Sequence, residues 1–158
     1  MIVGIDPGLN GAIALYDAVE NTFEVHDMPV VEVIRGGKKK REVVAALVAD
    51  IIAGRAIAEA YLERVGAMPG QGVTSMFSLG RSVGVIEGVL GAYEIPVTIV
   101  PPQTWQKALN LRDGKDGSRE RAMALFPKHA DLFKRKKDDG RADATLIAFY
   151  GSKHGVQS

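Results

Sequence analysis

The sequence predicts an α/β fold: a mixed five-stranded sheet flanked by helices. Three observations carry this reading. Residues 2–6, 11–17 and 22–28 are short runs rich in β-branched or alternating residues and separated by turn signals, so they read as three consecutive strands. Two further strand-like runs, 55–63 and 95–100, alternate with segments of helical periodicity. The 158 residues suit one hydrophobic core, so residues 1–158 are read as a single domain.

The elements follow in order. Ile2–Asp6 ends at Pro7-Gly8, as a strand stopped by a turn does. Residues 11–17 return as its hairpin partner, and 22–28 alternate as a third strand. Residues 29–41 carry Gly36-Gly37 and the run Lys38, Lys39, Lys40 and Arg41, and read as a loop or strand-to-helix connection. Residues 42–53 have helical spacing, with Glu42 in the first turn. The stretch 55–63 is rich in Ala and Glu, which favour a helix, but its place after a helix favours a strand ending near Glu63. A glycine-rich loop at 66–72 precedes a long helix over 74–93. The strand 95–100 stops at Pro101-Pro102, and a short helix follows over 103–109. A polar loop at 110–117 leads to a helix over 118–126, with Ser118 as its cap and Pro127 at its close. The last helix runs over 141–150.

Composition narrows the function classes. With no cysteine, disulfides and thiolate metal sites are excluded. Three histidines, at 26, 129 and 154, are too scattered for an imidazole-built zinc site, so any metal is expected on oxygen ligands. No apolar run reaches the length of a membrane span, and the N-terminus lacks the pattern of a signal peptide. A cytoplasmic chain without a membrane partner is expected. The net charge of +1 does not announce a nucleic-acid binder, but the cations are clustered. Besides 38–41 there is a run at Lys134, Arg135, Lys136 and Lys137, with Lys107, Arg112, Lys115, Arg119 and Arg121 between. One such run is ordinarily a solvated loop; several near candidate acidic residues suit a phosphate backbone.

Three carboxylates stand where a site can form. Asp6 and Glu63 close predicted strands, each just before a Gly/Pro turn, and Asp143 lies in an otherwise apolar stretch of the last helix. Such positions converge at one rim of a sheet. Each has an ordinary alternative: Asp6 as a turn former, Glu63 in a surface pair with Arg64, Asp143 as a complement to a helix N-terminus. Together they would repel one another, and a hard cation such as Mg²⁺ or Mn²⁺ is the physical remedy. Two such ions can activate a water and stabilise the leaving oxygen of a phosphodiester.

These residues also resemble a family. Gly4-Ile5-Asp6-Pro7-Gly8 followed by Gly11-Ala12-Ile13-Ala14 is similar to the first strand pair of RuvC-type Holliday junction resolvases. Tyr61-Leu62-Glu63, with Leu79-Gly80-Arg81-Ser82-Val83-Gly84 after it, is similar to the second acidic motif, and Asp139-Gly140-Arg141-Ala142-Asp143-Ala144-Thr145-Leu146-Ile147-Ala148 to the third. Order and spacing agree over nearly the whole chain. Pro102-Gln103-Thr104-Trp105 and the stretch from Lys136 to Asp143 are more similar to phage and divergent bacterial members than to the housekeeping enzyme. The resemblance implies a ribonuclease H-like sheet, a homodimer, and hydrolysis of two opposed strands at a four-way junction with Mg²⁺, or Mn²⁺ in its place, two ions per site. It implies a nicked duplex with a 5′-phosphate as product, and a bacterial protein or a phage protein in its host.

The resemblance carries Asp6, Glu63 and Asp143 over directly as catalytic metal ligands. The family's fourth carboxylate falls at Gly140, so Asp139 is preferred for it over the neighbouring Asp138. Lys107, Lys115 and Arg119 occupy the region where related enzymes contact phosphates, although Ser118 stands where some members carry a lysine. The loop after Glu63 lacks the family's aromatic wedge; Met68 is the apolar candidate there, and Phe77 reads as a core or dimer contact. Trp105, the sole tryptophan, is expected to pack behind a strand end. Gly80, Gly84 and Gly88 recur at four-residue spacing in the long helix, with Gly91 nearby. Glycine costs about 1 kcal/mol per helical site relative to alanine, so the stripe needs a close neighbour, either this chain's own sheet or a second copy. A broader flap or branched-DNA nuclease and a catalytically silent branched-DNA binding module remain as alternatives. A small-molecule kinase is disfavoured, because the chain is short and has no second phosphate-binding glycine motif.

Overall fold

The structure, a computed structural model, describes residues 1–66, 70, 72–112, 114 and 116–155. Strands β1 (Ile2–Asp6), β2 (Ala12–Asp17) and β3 (Thr22–Asp27) form an antiparallel meander. Its second turn is shaped by Asp17, whose Oδ1 accepts the N–H groups of Val19 at 2.9 Å and Glu20 at 3.2 Å.

The segment after Pro29 departs from expectation. It is a β-ribbon of β4 (Val30–Arg35) and β5 (Lys38–Val43), apart from the main sheet, where a loop and a helix start were read. The two residues between Arg35 and Lys38 are Gly36 and Gly37, with φ of 58° and 72°. Two successive positive φ angles make the primed turn whose twist matches paired strands, and only glycine adopts it without strain. Helix α1 therefore starts later, as Ala45–Ile52.

Strand β6 (Glu59–Glu63) lies parallel to β1, and β7 (Val97–Val100) parallel to β6, giving the order β3-β2-β1-β6-β7. Of the Ala/Glu-rich stretch 55–63 only Glu59–Glu63 is strand; this part fills the slot between β1 and β7, and tertiary pairing overrides its helical propensity. Helix α2 spans Val73–Ala92, α3 Pro102–Ala108 and α4 Gly117–Leu125. Two short 3₁₀ segments, Pro127–Phe133 and Lys136–Asp138, lead into α5 (Asp139–His154). α5 is longer at both ends than the 141–150 expected, and Asp138 takes its N-cap position. Asp116, not Ser118, precedes α4.

Alternation along the strands makes two cores. Val3, Ile5, Ala60 and Leu62 face Val48 and Ile52 of α1 and Ile86 and Leu90 of α2. Ala12, Ala14, Tyr16 and Tyr61 face Ala144, Leu146, Ile147 and Ala148 of α5, with Trp105, Phe126 and Phe133. Helices thus cover both faces of a mixed five-stranded sheet, as the sequence predicts.

One position sets how deep α5 sits. A Cβ at Gly4 would lie 2.2 Å from the carbonyl oxygen of Ala144 and 2.2 Å from the nitrogen of Ala148. No side chain fits there, so the backbones of β1 and α5 are in direct contact. That contact brings the end of β1 and the start of α5 to one rim.

Candidate active site

Asp6 and Glu63 are the last residues of neighbouring parallel strands. Ile5 pairs in register with Leu62, so the next step on each strand sets the two carboxylates side by side. Asp6 shares a face with Gly4, and Glu63 with Tyr61, by the two-residue strand period. That is the face covered by α5, where Asp143 immediately precedes Ala144. Gly4 therefore explains why the third carboxylate reaches the first.

The electrostatics follow from this crowding. Burial raises the pKa of Asp6, against a 3.1 Å hydrogen bond that the Gly8 N–H donates to its Oδ1. Burial pushes Glu63 up to about 7, and the negative charges of Asp6 and Asp143 push the same way. The opposing influence is Trp105, whose indole N–H donates to Glu63 Oε1 at 3.1 Å. Burial also pushes Asp143 up to about 7; the nearby Ser118 hydroxyl opposes the shift, while Asp6 and Asp139 add to it. Carboxyls raised by burial and by one another mark a site that lacks a counter-charge.

The donor chemistry fits a hard cation. Asp143 Oδ1 is buried and has no hydrogen-bond partner, an orphaned carboxylate oxygen beside two other carboxylates. Among the described residues, no three acidic or imidazole groups already close on one point as a finished cage. Asp6, Glu63 and Asp143 are the carboxylates whose shifted pKa values show that they sense one another or are buried at this rim, with Asp139 adding to the negative charge at Asp143.

The two candidates for a fourth carboxylate are separated by their partners. Asp138 is 1% exposed and is gripped by Arg135: its Oδ2 accepts the backbone N–H at 2.9 Å, and its Oδ1 accepts Nη2 at 2.8 Å. Burial alone would raise its pKa, but Arg135, with help from Arg141, holds it below the usual carboxylate range. Asp139 is half exposed, adds to the negative charge felt by Asp143, and is four residues before it on α5. Its Oδ1 accepts from Arg119 Nε at 2.7 Å.

The cations divide differently from expectation. The side chain of Arg119 is only 9% exposed, so it is not a free phosphate contact. Its guanidinium binds Asp139 and Asp116 and donates to the Lys134 carbonyl at 3.1 Å. Lys107 is exposed and lines a polar cavity of about 330 Å³ together with Arg112 and Ser118. Because Ser118 is also beside Asp143, this cavity adjoins the acidic group. Lys115 and Met68 lie outside the described residues.

Sequence reasoning placed Trp105 in the core, where it is fully buried, but missed its hydrogen bond to Glu63. The available signal was an N–H-bearing aromatic just after a strand end parallel to one that closes on a carboxylate. The role of Ser118 beside Asp143 was likewise missed.

The glycine stripe of α2 does not pack on its own sheet. A Cβ at Gly80, Gly84, Gly88 or Gly91 would meet nothing within 4 Å. On the same helix Phe77 is 74% exposed and Val73 79%. Phe77 is therefore not a core residue.

No family model matches the chain. The chain is similar to the Holliday junction resolvase MOC1, chloroplastic, of Chlamydomonas reinhardtii, with 37% identity over 94 residues, which cover 56% of this chain. The match spans 10% of that longer protein. Among solved structures, RuvC of Thermus thermophilus in complex with a Holliday junction substrate superposes with a TM-score of 0.61 at 14% identity, covering 98% of this chain and 96% of that one. A further Thermus thermophilus RuvC structure gives a TM-score of 0.58 at 15% identity, with the same coverage. The chain therefore has the RuvC fold, the ribonuclease H-like sheet expected from its motifs.

Proposed function

We propose that this chain is a structure-selective DNA endonuclease that resolves four-way junctions by metal-dependent phosphodiester hydrolysis. The observation that carries the reading is the meeting of Asp6, Glu63 and Asp143 at one rim of the sheet, each pKa raised and one oxygen orphaned. The resolvase likeness in sequence and the RuvC fold support the same substrate class.

Asp6, Glu63 and Asp143 would hold Mg²⁺ or Mn²⁺, with Asp139 as the fourth ligand and two ions per site. When bound, the metal supplies activation of the attacking water and neutralisation of charge on the scissile phosphate. The chain's own residues do the rest. Trp105 fixes one oxygen of Glu63 and leaves the other free to bind. Arg119 holds Asp139 at the rim. Lys107 and Arg112 line the cavity next to Ser118, where a cation can stabilise charge developing on the phosphate oxygens. Lys115 belongs to the same stretch by sequence.

Two opposed cuts call for two sites related by a two-fold axis. The reading therefore includes a homodimer, with α2 as its seam. The open glycine stripe and the exposed Phe77 and Val73 support it, because small residues let a second helix approach while the apolar side chains gain burial.

The test is Asp6→Asn against the unaltered protein on a synthetic four-way junction with Mg²⁺, beside three-way and flap substrates. The expected result is junction cleavage by the unaltered protein and binding without cleavage by the variant. Full cleavage by Asp6→Asn would overturn the mechanism. Equal cutting of flaps and junctions would point to the broader nuclease, and binding without cleavage by the unaltered protein to the silent module.

A further inference from the structure

The two basic runs of the sequence, at 38–41 and 134–137, are almost a hundred residues apart and belong to no part of the acidic site. The fold brings them together. Arg41 on β5 and Lys136 and Lys137 just before α5 line one cleft of about 570 Å³, whose floor is the β1–β2 turn at Leu9, Asn10 and Gly11. Asp139 and Gly140 stand at its α5 end, so the cleft opens beside the acidic rim.

The charges in the cleft do not cancel. Its acidic residues are each held by a partner: Asp138 by Arg135, Asp27 by Arg141 at 2.5 and 2.7 Å, and Asp139 by Arg119. Among the described residues, Arg41, Lys136 and Lys137 have no carboxylate within salt-bridge distance. Three cations without a direct ion pair therefore share one concave surface, Lys137 near enough to Asp27 to help hold that carboxyl below its ordinary range.

The cleft is also built rather than incidental. Arg41 donates from Nη1 to Asn10 Oδ1 at 2.7 Å and from Nη2 to the Leu9 carbonyl at 2.7 Å, which fixes its guanidinium over the turn and leaves its other N–H donors available. A Cβ at Gly140 would lie 2.4 Å from the Asn10 carbonyl oxygen, so the start of α5 is pressed against the same turn. The positive end of a sixteen-residue helix thus adds to the field of the three side chains.

We propose that this cleft binds a backbone phosphate of the DNA segment that leads into the acidic rim, with the β4–β5 ribbon as one wall of the track. The proposal rests on the nuclease reading and deepens it: the ribbon and the second basic run set the path of the strand outside the cutting site. A guanidinium and two ammonium groups match a phosphodiester, and such contacts act through charge and release of counterions, independent of base sequence.

The test uses Lys136→Gln/Lys137→Gln in the full chain, with Lys153→Gln at the far end of α5 as the control. Junction affinity is measured in Ca²⁺ across a salt series. Each lost phosphate contact lowers the slope of log K against log salt by about 0.9, so the double variant, which gives up the one phosphate held in the cleft, is expected to lose about 0.9 of slope and to bind several-fold more weakly at low salt. The control is expected to keep the unaltered slope. An unchanged slope in the double variant overturns the proposal, and so does an equal loss in the control, which would report net charge alone. Failure of the unaltered protein to bind or cut junctions would instead remove the nuclease reading, and this proposal with it.

Discussion

The indole N–H of Trp105 donates to Glu63 Oε1 at 3.1 Å, from a side chain with no exposure to solvent. β6 and β7 are parallel, and Glu63 pairs in register with Val100, so the helix that follows β7 carries Trp105 behind the carboxylate. A buried donor of this kind orients a metal-binding carboxylate and favours its ionised form. Trp105→Phe keeps an aromatic ring in place and deletes the donor. Losing such a supporting hydrogen bond costs about 10–100-fold in metal affinity or activity. The expected outcome is a rise of at least tenfold in the Mg²⁺ concentration giving half-maximal cleavage, with junction affinity in Ca²⁺ unchanged. Equal Mg²⁺ dependence in the two proteins would show that the hydrogen bond only packs the core.

The raised carboxyls make stability depend on pH in an unusual direction. Ordinary carboxyls in the unfolded chain have pKa values of about 4, while Glu63 and Asp143 in the folded chain are at about 7. Between those values the folded state binds more protons than the unfolded one, so stability falls as pH rises and levels off above the folded pKa. The melting temperature of the metal-free protein is expected to drop from pH 5 to pH 8. Asp143→Asn is expected to flatten much of that drop and to melt higher than the unaltered protein at pH 8. Added Mg²⁺ is expected to restore stability at pH 8 only when the carboxylates are intact. A metal-free melting temperature that rises across this range would contradict the burial and repulsion described for the site.

How much of this was legible depends on the range of the interaction involved. Asp6 and Glu63 could be placed because strand ends are marked by local turn residues, Pro7-Gly8 among them. The sheet followed from alternation, which each strand carries by itself. The β4–β5 ribbon reads as a loop or strand-to-helix connection in the sequence because Gly36-Gly37 precedes Lys38, Lys39 and Lys40, which are poor strand residues taken one by one. They are tolerated because Lys39 pairs with Glu32 at 3.3 Å, and Arg35 and Arg81 both pair with Glu42, at 2.5 and 2.7 Å. The different surroundings of Asp138 and Asp139 are not legible in the sequence, because they turn on which arginine each meets. Arg135 is three residues from Asp138, whereas Arg119 reaches Asp139 from another helix. For the same reason Arg119 read as a free cation.

Glycine has opposite consequences at two places. At Gly4 a methyl group would meet backbone atoms of α5 at 2.2 Å, and backbone cannot rotate away. Gly4→Ala is expected to destabilise the fold by about 3 kcal/mol or more, measured by urea unfolding. At Gly84 a methyl group meets nothing within 4 Å. Gly84→Ala is expected to strengthen α2 by about 1 kcal/mol in the dilute monomer. If α2 is the dimer seam, Gly84→Leu is expected to shift the protein toward monomer in analytical ultracentrifugation and to uncouple the two cuts in a junction. Undisturbed dimers in Gly84→Leu would remove α2 from the interface.

Arg119 and Lys107 provide the contrast that separates holding the site from holding the DNA. Arg119 is enclosed between Asp116, Asp139 and the Lys134 carbonyl, so its charge is already matched within the protein. Lys107 is exposed on the cavity beside Ser118. Arg119→Gln leaves Asp139 without its partner and an imperfectly filled space, which is expected to lower the urea midpoint, with half-exposed Asp139 and Asp116 falling back on solvent. It is also expected to lower cleavage while leaving the salt slope of junction binding as it was. Lys107→Gln is expected to be neutral in stability, within about 0.5 kcal/mol, as surface changes usually are. Its salt slope is expected to fall by about one unit, the signature of a lost phosphate contact. Junction binding across a salt series, beside urea unfolding of the same two variants, checks both. A reduced slope for Arg119→Gln with unaltered stability would mean that this arginine leaves its carboxylates to meet the DNA.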